Sequence, residues 1–147
     1  MIKEFVDAWD KNKGKLEEYF KTHKQSEYDE YESLVRLLFQ VVINPEYDGY
    51  WPKVPFDTDK IHKIDDGDYQ GTLIFLIPKD TYQPSVENYA YTSVYYGSCS
   101  CCDTLQSIQI FDYNELPSEN QVKEYMTLCL HLLQHCKMLT EEDSENE

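Results

Sequence analysis

Three of the five cysteines in this 147-residue chain fall within four positions, at Cys99, Cys101 and Cys102. Gly97 and Ser98 precede them, and such small residues favour a tight turn. In the C-x2-C pair of Cys99 and Cys102, two intervening residues allow both sulfurs to face one ion about 2.3 Å away, as in a zinc knuckle. The pattern therefore predicts half of a zinc site, held on a turn.

The other half of the site is predicted at His131 and His135. They are four positions apart and therefore share one face of a helix, and 28 residues separate them from Cys102. Together with C-x2-C, this H-x3-H pair completes the ligand set of a two-Cys, two-His zinc site. Cys101 or Cys136 is an alternative to one of the histidines. Four protein ligands leave no open coordination position, so we expect a structural Zn²⁺.

Two other interpretations of the clustered thiols stay open. A C-x-x-C pair also serves as a redox dithiol, although it then normally opens a helix after a strand in a thioredoxin-like unit, which this sequence does not predict. The thiols could also carry no ligand. Cys129 and Cys136 fall on the apolar arc of a predicted helix, where free cysteine behaves as a small hydrophobic residue. No nucleophile elbow, phosphate loop, dinucleotide fingerprint or H-E-x-x-H motif occurs, so no catalytic residues are assigned.

The chain is strongly acidic, with 28 acidic and 13 basic residues and a formal net charge of −15. Up to Lys24 there are five acidic and six basic residues, a sum of +1, so the remainder carries −16. Such a chain is repelled by nucleic acid and by anionic lipid and is attracted to surfaces that bind those polyanions. We therefore expect a protein partner with a basic surface, without nucleic-acid or membrane binding. The alternative is that the charge only keeps the protein soluble.

The predicted partner-binding residues combine carboxylates with aromatic side chains, because desolvated aromatic anchors add affinity that charge alone lacks. The aromatic residues lie in a proline-containing loop over 46–59, which either packs on its own domain or meets a partner. The carboxylates are Glu27, Asp29, Glu30, Glu32, Asp57, Asp59, Asp65, Asp66 and Asp68, and the aromatic anchors are Tyr47, Tyr50 and Trp51.

Hydrophobic periodicity predicts two N-terminal helices. The first covers residues 2–22, with Gly14 as a possible bend. The second opens at Ser26, where Ser26 and Asp29 resemble a capping box, and ends before Asn44-Pro45 because the residue before proline disfavours the α region. A last helix is expected from the Ser118 and Gln121 capping box to about residue 139.

Between these helices the sequence predicts strands over 61–64, 69–77 and 89–96. The turn at 65–68 contains Gly67 and suits a hairpin. Leu73 to Ile77 is continuously apolar, which is typical of a central strand covered on both faces. The element after Asp103, a short helix or another strand, stays open. We therefore expect one α+β domain over 1–139 with an antiparallel sheet of three or more strands, followed by an acidic disordered tail over 140–147.

The stretch Tyr96-Gly97-Ser98-Cys99, continued by Cys102-Asp103-Thr104-Leu105-Gln106, resembles small phage-encoded proteins. With the acidity and the predicted zinc, the chain is similar to the anti-CRISPR inhibitors of type II Cas9. The motif covers roughly one tenth of the chain. The resemblance implies a non-enzymatic inhibitor that occupies a basic face of the effector and acts in the cytoplasm of a bacterial host.

Two alternative functions remain open at this stage. An immunity or antitoxin-type protein that neutralises a basic toxin would need the same electrostatics. A small zinc hydrolase or dithiol oxidoreductase would instead need an open coordination position or a thiol of low pKa. The sequence also has no apolar segment at its start that is typical of a secretory signal, so we expect reduced thiols.

Overall fold

The computed structural model describes residues 3–25, 30–50, 53–67, 70–98, 103–108 and 115–139. The first helix, α1, spans Lys3–Thr22. Its buried residues Phe5, Trp9, Leu16 and Phe20 recur at helical spacing and form a stripe that faces the core. The helix continues through Gly14 without interruption.

The second helix, α2, spans Tyr31–Leu38 and widens into a π-helical segment, Phe39–Ile43. The helical run continues through Pro45 as a 3-10 turn, Asn44–Glu46, and Asn44 keeps right-handed helical angles (φ −60°, ψ −30°). The predicted end before Asn44-Pro45 is therefore wrong by about one turn, because the conformation disfavoured before proline is adopted here. The Asn44 side chain then fixes the following loop, because it donates to the Phe56 carbonyl oxygen at 3.0 Å and accepts from the Phe56 N–H at 2.9 Å. The predicted capping pair of Ser26 and Asp29 lies outside the described residues. The predicted opening at Ser26 is wrong, because Glu30 has an extended backbone and the helix begins after it, at Tyr31.

Four strands form one antiparallel sheet in the order β1-β2-β3-β4. They are β1 at His62–Asp65, β2 at Gly71–Pro78, β3 at Tyr89–Tyr96 and β4 at Lys137–Met138. The predicted α+β class and the antiparallel sheet of three or more strands are confirmed, and β3 has the predicted bounds.

Two further helices, one short and one long, lie between β3 and β4 in the chain. Helix α3 spans Thr104–Ile108 and helix α4 spans Glu119–Gln134. The predicted capping box is present, since the Gln121 N–H donates to Ser118 Oγ at 3.2 Å and the Ser118 N–H donates to Gln121 Oε1 at 2.8 Å. The expectation that this helix reaches residue 139 is wrong, because the chain leaves the helix at His135 and pairs with β3 as β4.

The sheet contributes one face to the buried core. Phe75, Ile77 and Ala90 belong to a single buried cluster that also contains side chains of α1, α2 and α4. Ile74 and Leu76 alternate with them on β2, are only partly buried and do not belong to that cluster. The prediction that β2 is covered on both faces is therefore wrong for the described part of the chain. No described helix is both long enough and apolar enough to cross a membrane.

Candidate functional site: an acidic cavity between two helices and the sheet

A cavity of about 240 Å³ lies where α2, α3 and the first three strands meet. Four carboxylate-bearing residues line it, and the lining residues that the structure describes include one basic side chain, Lys63. Aromatic and aliphatic groups complete its wall. We call this feature the acidic cavity, and its principal residues are Glu30, Glu32, Asp65 and Asp103 with Tyr31, Leu73, Tyr96 and Leu105.

Asp103 is the most buried of the four carboxylate-bearing residues, with 4% of its surface exposed. Its Oδ1 accepts from the Tyr31 hydroxyl at 2.9 Å and from the Gln106 N–H at 3.0 Å. Its Oδ2 accepts from the Gly97 N–H at 2.9 Å. A buried carboxylate needs such donors to replace its lost hydration. Asp103 therefore ties α2, α3 and the end of β3 together.

Tyr31 is held by a second contact, because its hydroxyl oxygen accepts from the Leu105 N–H at 3.0 Å. Burial raises the pKa of Tyr31 well above its ordinary value, so the hydroxyl stays protonated and continues to donate to Asp103. Gln106 adds a link in the other direction, with its side-chain amide donating to the Gly97 carbonyl oxygen at 3.2 Å. These bonds fix Gly97 and Asp103, which lie on either side of the clustered cysteines in the sequence.

Asp65 forms the opposite wall of the cavity. Its Oδ1 accepts from the Tyr96 hydroxyl at 2.6 Å and from the Gly67 N–H at 3.0 Å. The Tyr96 hydrogen bond, followed by the Gly67 bond, lowers the pKa of Asp65 below its usual value. The carboxylate is therefore ionised at neutral pH. Asp66 accepts from the Thr72 N–H at 2.7 Å and closes the hairpin between β1 and β2.

Glu30 and Glu32 approach the cavity from the start of α2. Glu32 Oε2 lies 3.3 Å from the Arg36 guanidinium, one helical turn further on. Arg36 is also held by the Thr58 carbonyl oxygen, at 3.1 Å from Nε. Glu30 is exposed and precedes the first residue of α2. The glutamates at the start of α2 and Asp65 of β1 are more than 30 residues apart in the sequence and therefore line the same cavity only because of the fold.

The predicted zinc ligands are only partly described. Cys99, Cys101 and Cys102 lie outside the described residues, between Ser98 and Asp103. His131 is exposed and lines a second cavity together with Thr104, which follows Cys102 by two positions. Within the described ranges, no group of three or more Cys, His, Asp or Glu side chains is placed to hold a metal. The described part of the proposed site is therefore its histidine half.

His135 ends α4, and its Nδ1 lies 3.2 Å from the Ser93 carbonyl oxygen. A carbonyl oxygen can only accept, so Nδ1 carries a proton in this contact and Nε2 is the ring nitrogen left to bind a metal. Zinc-binding histidines are commonly oriented by such a hydrogen bond from the second nitrogen. The contact therefore suits a ligand role for His135.

The alternative ligand Cys136 is buried in the core, as Cys129 is. Its thiol donates to the Leu132 carbonyl oxygen at 3.3 Å. Burial raises the pKa of each of these two thiols to about 12. Both cysteines are thus protonated core residues in this structure, and Cys136 would have to lose its hydrogen bond and its proton before it could bind a metal.

The predicted partner-binding residues do not form one surface. Glu30, Glu32 and Asp65 line the acidic cavity, and Asp66 lies next to it in the hairpin turn. Tyr47, Tyr50, Asp57 and Asp59 belong to the opposite end of β2, where the Asp57 N–H donates to the Pro78 carbonyl oxygen at 2.7 Å. Leu73 and Pro78 are five positions apart along a strand, which is about 16 Å. Glu27, Asp29, Trp51 and Asp68 lie outside the described residues.

The aromatic loop packs mainly on its own domain. The Tyr47 ring meets the Phe56 ring edge to face at 5.5 Å, and Phe56 in turn contacts Phe39 and Phe5. Tyr50, by contrast, is 79% exposed, and Gly49 beside it adopts a φ of +91°, which glycine tolerates without strain. The loop was expected either to pack on its own domain or to meet a partner. Tyr47 packs on its own domain, whereas Tyr50 does not pack into the core.

Sequence reasoning missed the roles of Tyr31 and Gln106 and recognised Asp103 only as a possible helix cap. The capping signal was correct, because the Gln106 N–H does bond to Asp103. Tyr31 lies 72 positions away from Asp103, and no local pattern connects the two.

No protein-family model matches this sequence, and neither the curated proteins nor the solved structures include a significant match. The function is therefore inferred from the geometry, the net charge and the Tyr96-to-Gln106 stretch.

Proposed function

We propose that this protein binds a basic surface of a protein partner through the acidic cavity and acts by occupying that surface. The observation that carries the proposal is the convergence of Glu30, Glu32 and Asp65 around one concave site. A concave site with several carboxylates and a partly apolar wall suits a lysine or arginine side chain, whose methylene stem packs while its charged end meets the carboxylates.

The net charge supports the same class of partner. At −15, the chain is repelled by nucleic acid and is steered toward surfaces that bind polyanions. The resemblance of the Tyr96-to-Gln106 stretch to phage proteins suggests a particular partner, a type II Cas9 effector in the bacterial cytoplasm. The protein would then be an anti-CRISPR inhibitor that competes with nucleic acid and performs no reaction.

The test is association with purified Cas9, measured by biolayer interferometry over a series of salt concentrations, with DNA cleavage assayed in parallel. We expect tight association at low salt, weakening as salt screens the opposite charges, together with loss of cleavage. Absence of association at low salt would exclude Cas9 as the partner. Association without any salt dependence would exclude the electrostatic mechanism.

We further propose that one structural Zn²⁺ links the cysteine turn to the last helix through Cys99, Cys102, His131 and His135. Two described features support it, namely the cavity shared by His131 and Thr104 and the orientation of the His135 ring by Ser93. Such an ion would join β3 and α4 near the acidic cavity. It would therefore keep the turn beside that cavity in one conformation.

Elemental analysis of the purified protein tests the zinc site, and we expect about one equivalent of zinc. Cys99→Ser and His135→Gln should each reduce the zinc content and lower the free energy of unfolding by several kcal/mol, because metal binding is coupled to folding. Cys129→Ser is the matched control, since Cys129 is buried in the core and is not a proposed ligand, so its substitution should leave the zinc content unchanged. A folded, metal-free parent protein would contradict the proposal.

A further inference from the structure

The face of the sheet that points away from the core is unusually apolar for a surface. Directly paired residues of antiparallel strands lie on the same face, so the register places Ile64, Ile74, Leu76, Tyr91, Tyr95 and Lys137 together on it, with the polar residues His62, Thr72 and Ser93 among them. Ile64 is 45% exposed and Tyr95 is 52% exposed. We call this surface the outer face.

The outer face has the sequence of a covered surface. A strand with apolar residues at successive positions is typical of burial on both faces, whereas a strand with one solvated face normally alternates with polar residues. In β2, Leu73, Phe75 and Ile77 supply the core side, and Ile74 and Leu76 are equally apolar on the other side. Within the described part of the chain, only the core-side residues Leu73, Phe75 and Ile77 of this strand pack against the buried cluster.

The distribution of charge indicates which partner can cover Ile74 and Leu76 on the outer face. Asp65 is the only acidic residue within the four strands, and it points to the opposite face, toward the acidic cavity. The outer face is thus free of strand carboxylates in a chain of net charge −15. Two such chains can approach each other closely only where their carboxylates do not oppose one another.

We propose that the outer face is an isologous interface with the same face of a second copy of this chain. Its layout fits a protein interface, which typically has an apolar centre and a polar rim. Ile74, Leu76 and Tyr91 lie on the two central strands, where Thr72 and Ser93 add two small hydroxyl side chains. His62 and Lys137 lie at its margins on the edge strands β1 and β4. Lys137 Nζ already lies 4.9 Å from the centre of the Tyr91 ring, so its charge is directed onto an aromatic face within its own chain.

The available area sets the strength of this contact. The four strands contain 22 residues, which at about 3.3 Å per residue and about 4.8 Å between strands give a flat footprint of about 350 Å² per copy, or about 700 Å² for two. Side-chain relief raises the accessible area above this value, but the total stays near the lower limit of about 1,000 Å² for a specific interface. The dimer is therefore weak and reversible, with the two sheets packed about 10 Å apart.

Sedimentation velocity of the full chain over a wide concentration range tests the interface. We expect the sedimentation coefficient to rise with concentration and the dimer to strengthen at high salt, because salt screens the repulsion between two acidic chains. This salt dependence is opposite in sign to that expected for binding of a basic partner. The two proposals can therefore fail independently.

Two variants and a matched control locate the interface. Ile64→Glu and Tyr95→Glu each add one negative charge to the outer face, and each should weaken dimerisation at least tenfold. Leu116→Glu adds the same charge at a residue outside the sheet that is 55% exposed, and it should dimerise almost as well as the parent. Far-UV circular dichroism of all three variants checks that they fold.

Three results would overturn the inference. One is a parent protein that stays monomeric at every concentration in high salt. Another is a dimer that both outer-face variants retain at full strength. The third is a dimer that Leu116→Glu disrupts as strongly as Ile64→Glu does, because that would show an effect of net charge alone.

Discussion

The two ends of β2 use polar and aromatic residues in opposite ways. At the Leu73 end, carboxylates from α2, β1 and the start of α3 converge on a cavity, and Asp103 is buried and saturated with donors. At the Pro78 end, the rings of Phe56, Tyr47 and Phe39 pack into the core, and the carboxylates are spread over exposed loops.

The difference shows why closeness in sequence is a poor guide to a binding surface. Tyr47 and Tyr50 follow α2 closely in sequence, yet their loop lies about 16 Å further along β2 than the acidic cavity. Glu32 and Asp65 are 33 positions apart and line the same site. The cavity end carries the proposed function, and the aromatic end carries stability.

The largest expected effect belongs to the aromatic end. Phe56 is 3% exposed and makes edge-to-face contacts with Phe5, Phe39 and Tyr47. Phe56→Ala should lower the free energy of unfolding by about 4 kcal/mol, because it removes buried apolar surface and leaves a cavity. Urea denaturation measures this loss.

Tyr50→Ala is the control at the same end and should change the free energy of unfolding by less than about 0.5 kcal/mol, since Tyr50 is mostly exposed. Equal losses in the two variants would contradict the distinction between packed and free aromatic residues in this loop.

The next largest effect concerns Asp103 at the cavity end. Asp103→Ala should lower the free energy of unfolding by about 3 kcal/mol, because it leaves the Tyr31 hydroxyl and the Gly97 N–H buried without their acceptor. Asp48→Ala is the matched change at the aromatic end, where an exposed carboxylate accepts the Tyr50 N–H, and it should cost less than about 0.5 kcal/mol. Similar losses at the two ends, seen in thermal or urea melts, would contradict the structural role assigned to Asp103.

A smaller effect is expected in the pH dependence of stability. The Tyr96 hydrogen bond lowers the pKa of Asp65 in the folded state, so its stabilisation is present above the unfolded value of 3.8 and is lost as pH falls through the lower folded value. Tyr96→Phe removes the donor and should move the pKa of Asp65 upward. Carbon-detected NMR titration of the Asp65 carboxyl group measures the shift. An unchanged pKa would show that the 2.6 Å contact does not persist in solution.

Elements with a regular pattern could be predicted from the sequence. Tyr89–Tyr96 was bounded correctly because the run has strand-forming residues and ends at Gly97-Ser98, and α4 began where its Ser118 capping box placed it. The two-residue strand β4 carries no periodic signal, and the edge of β3 determines its position. The end of α4 was therefore predicted too late in the sequence.

The site was predictable only in its parts. Residue types identified Glu30, Glu32 and Asp65 as candidates, because an excess of carboxylates after Lys24 is visible in the sequence. Their convergence depends on how α2 packs beside the hairpin of β1 and β2, which no local pattern encodes. The same holds for the contact between Tyr31 and Asp103.

Binding of an arginine-rich peptide to two charge-matched triple variants tests the acidic cavity most directly. One variant carries Glu30→Gln, Glu32→Gln and Asp65→Asn at the cavity. The other carries Asp48→Asn, Asp59→Asn and Asp80→Asn, which are exposed residues at the aromatic end and raise the net charge by the same amount. Calorimetry on the parent and both variants separates a local site from the overall charge.

We expect the cavity variant to bind the peptide at least tenfold more weakly than the parent, a difference of about 1.4 kcal/mol or more. The variant at the aromatic end should stay close to the parent. Equal weakening in the two variants would show that net charge alone attracts the peptide and would contradict the acidic cavity as the binding site.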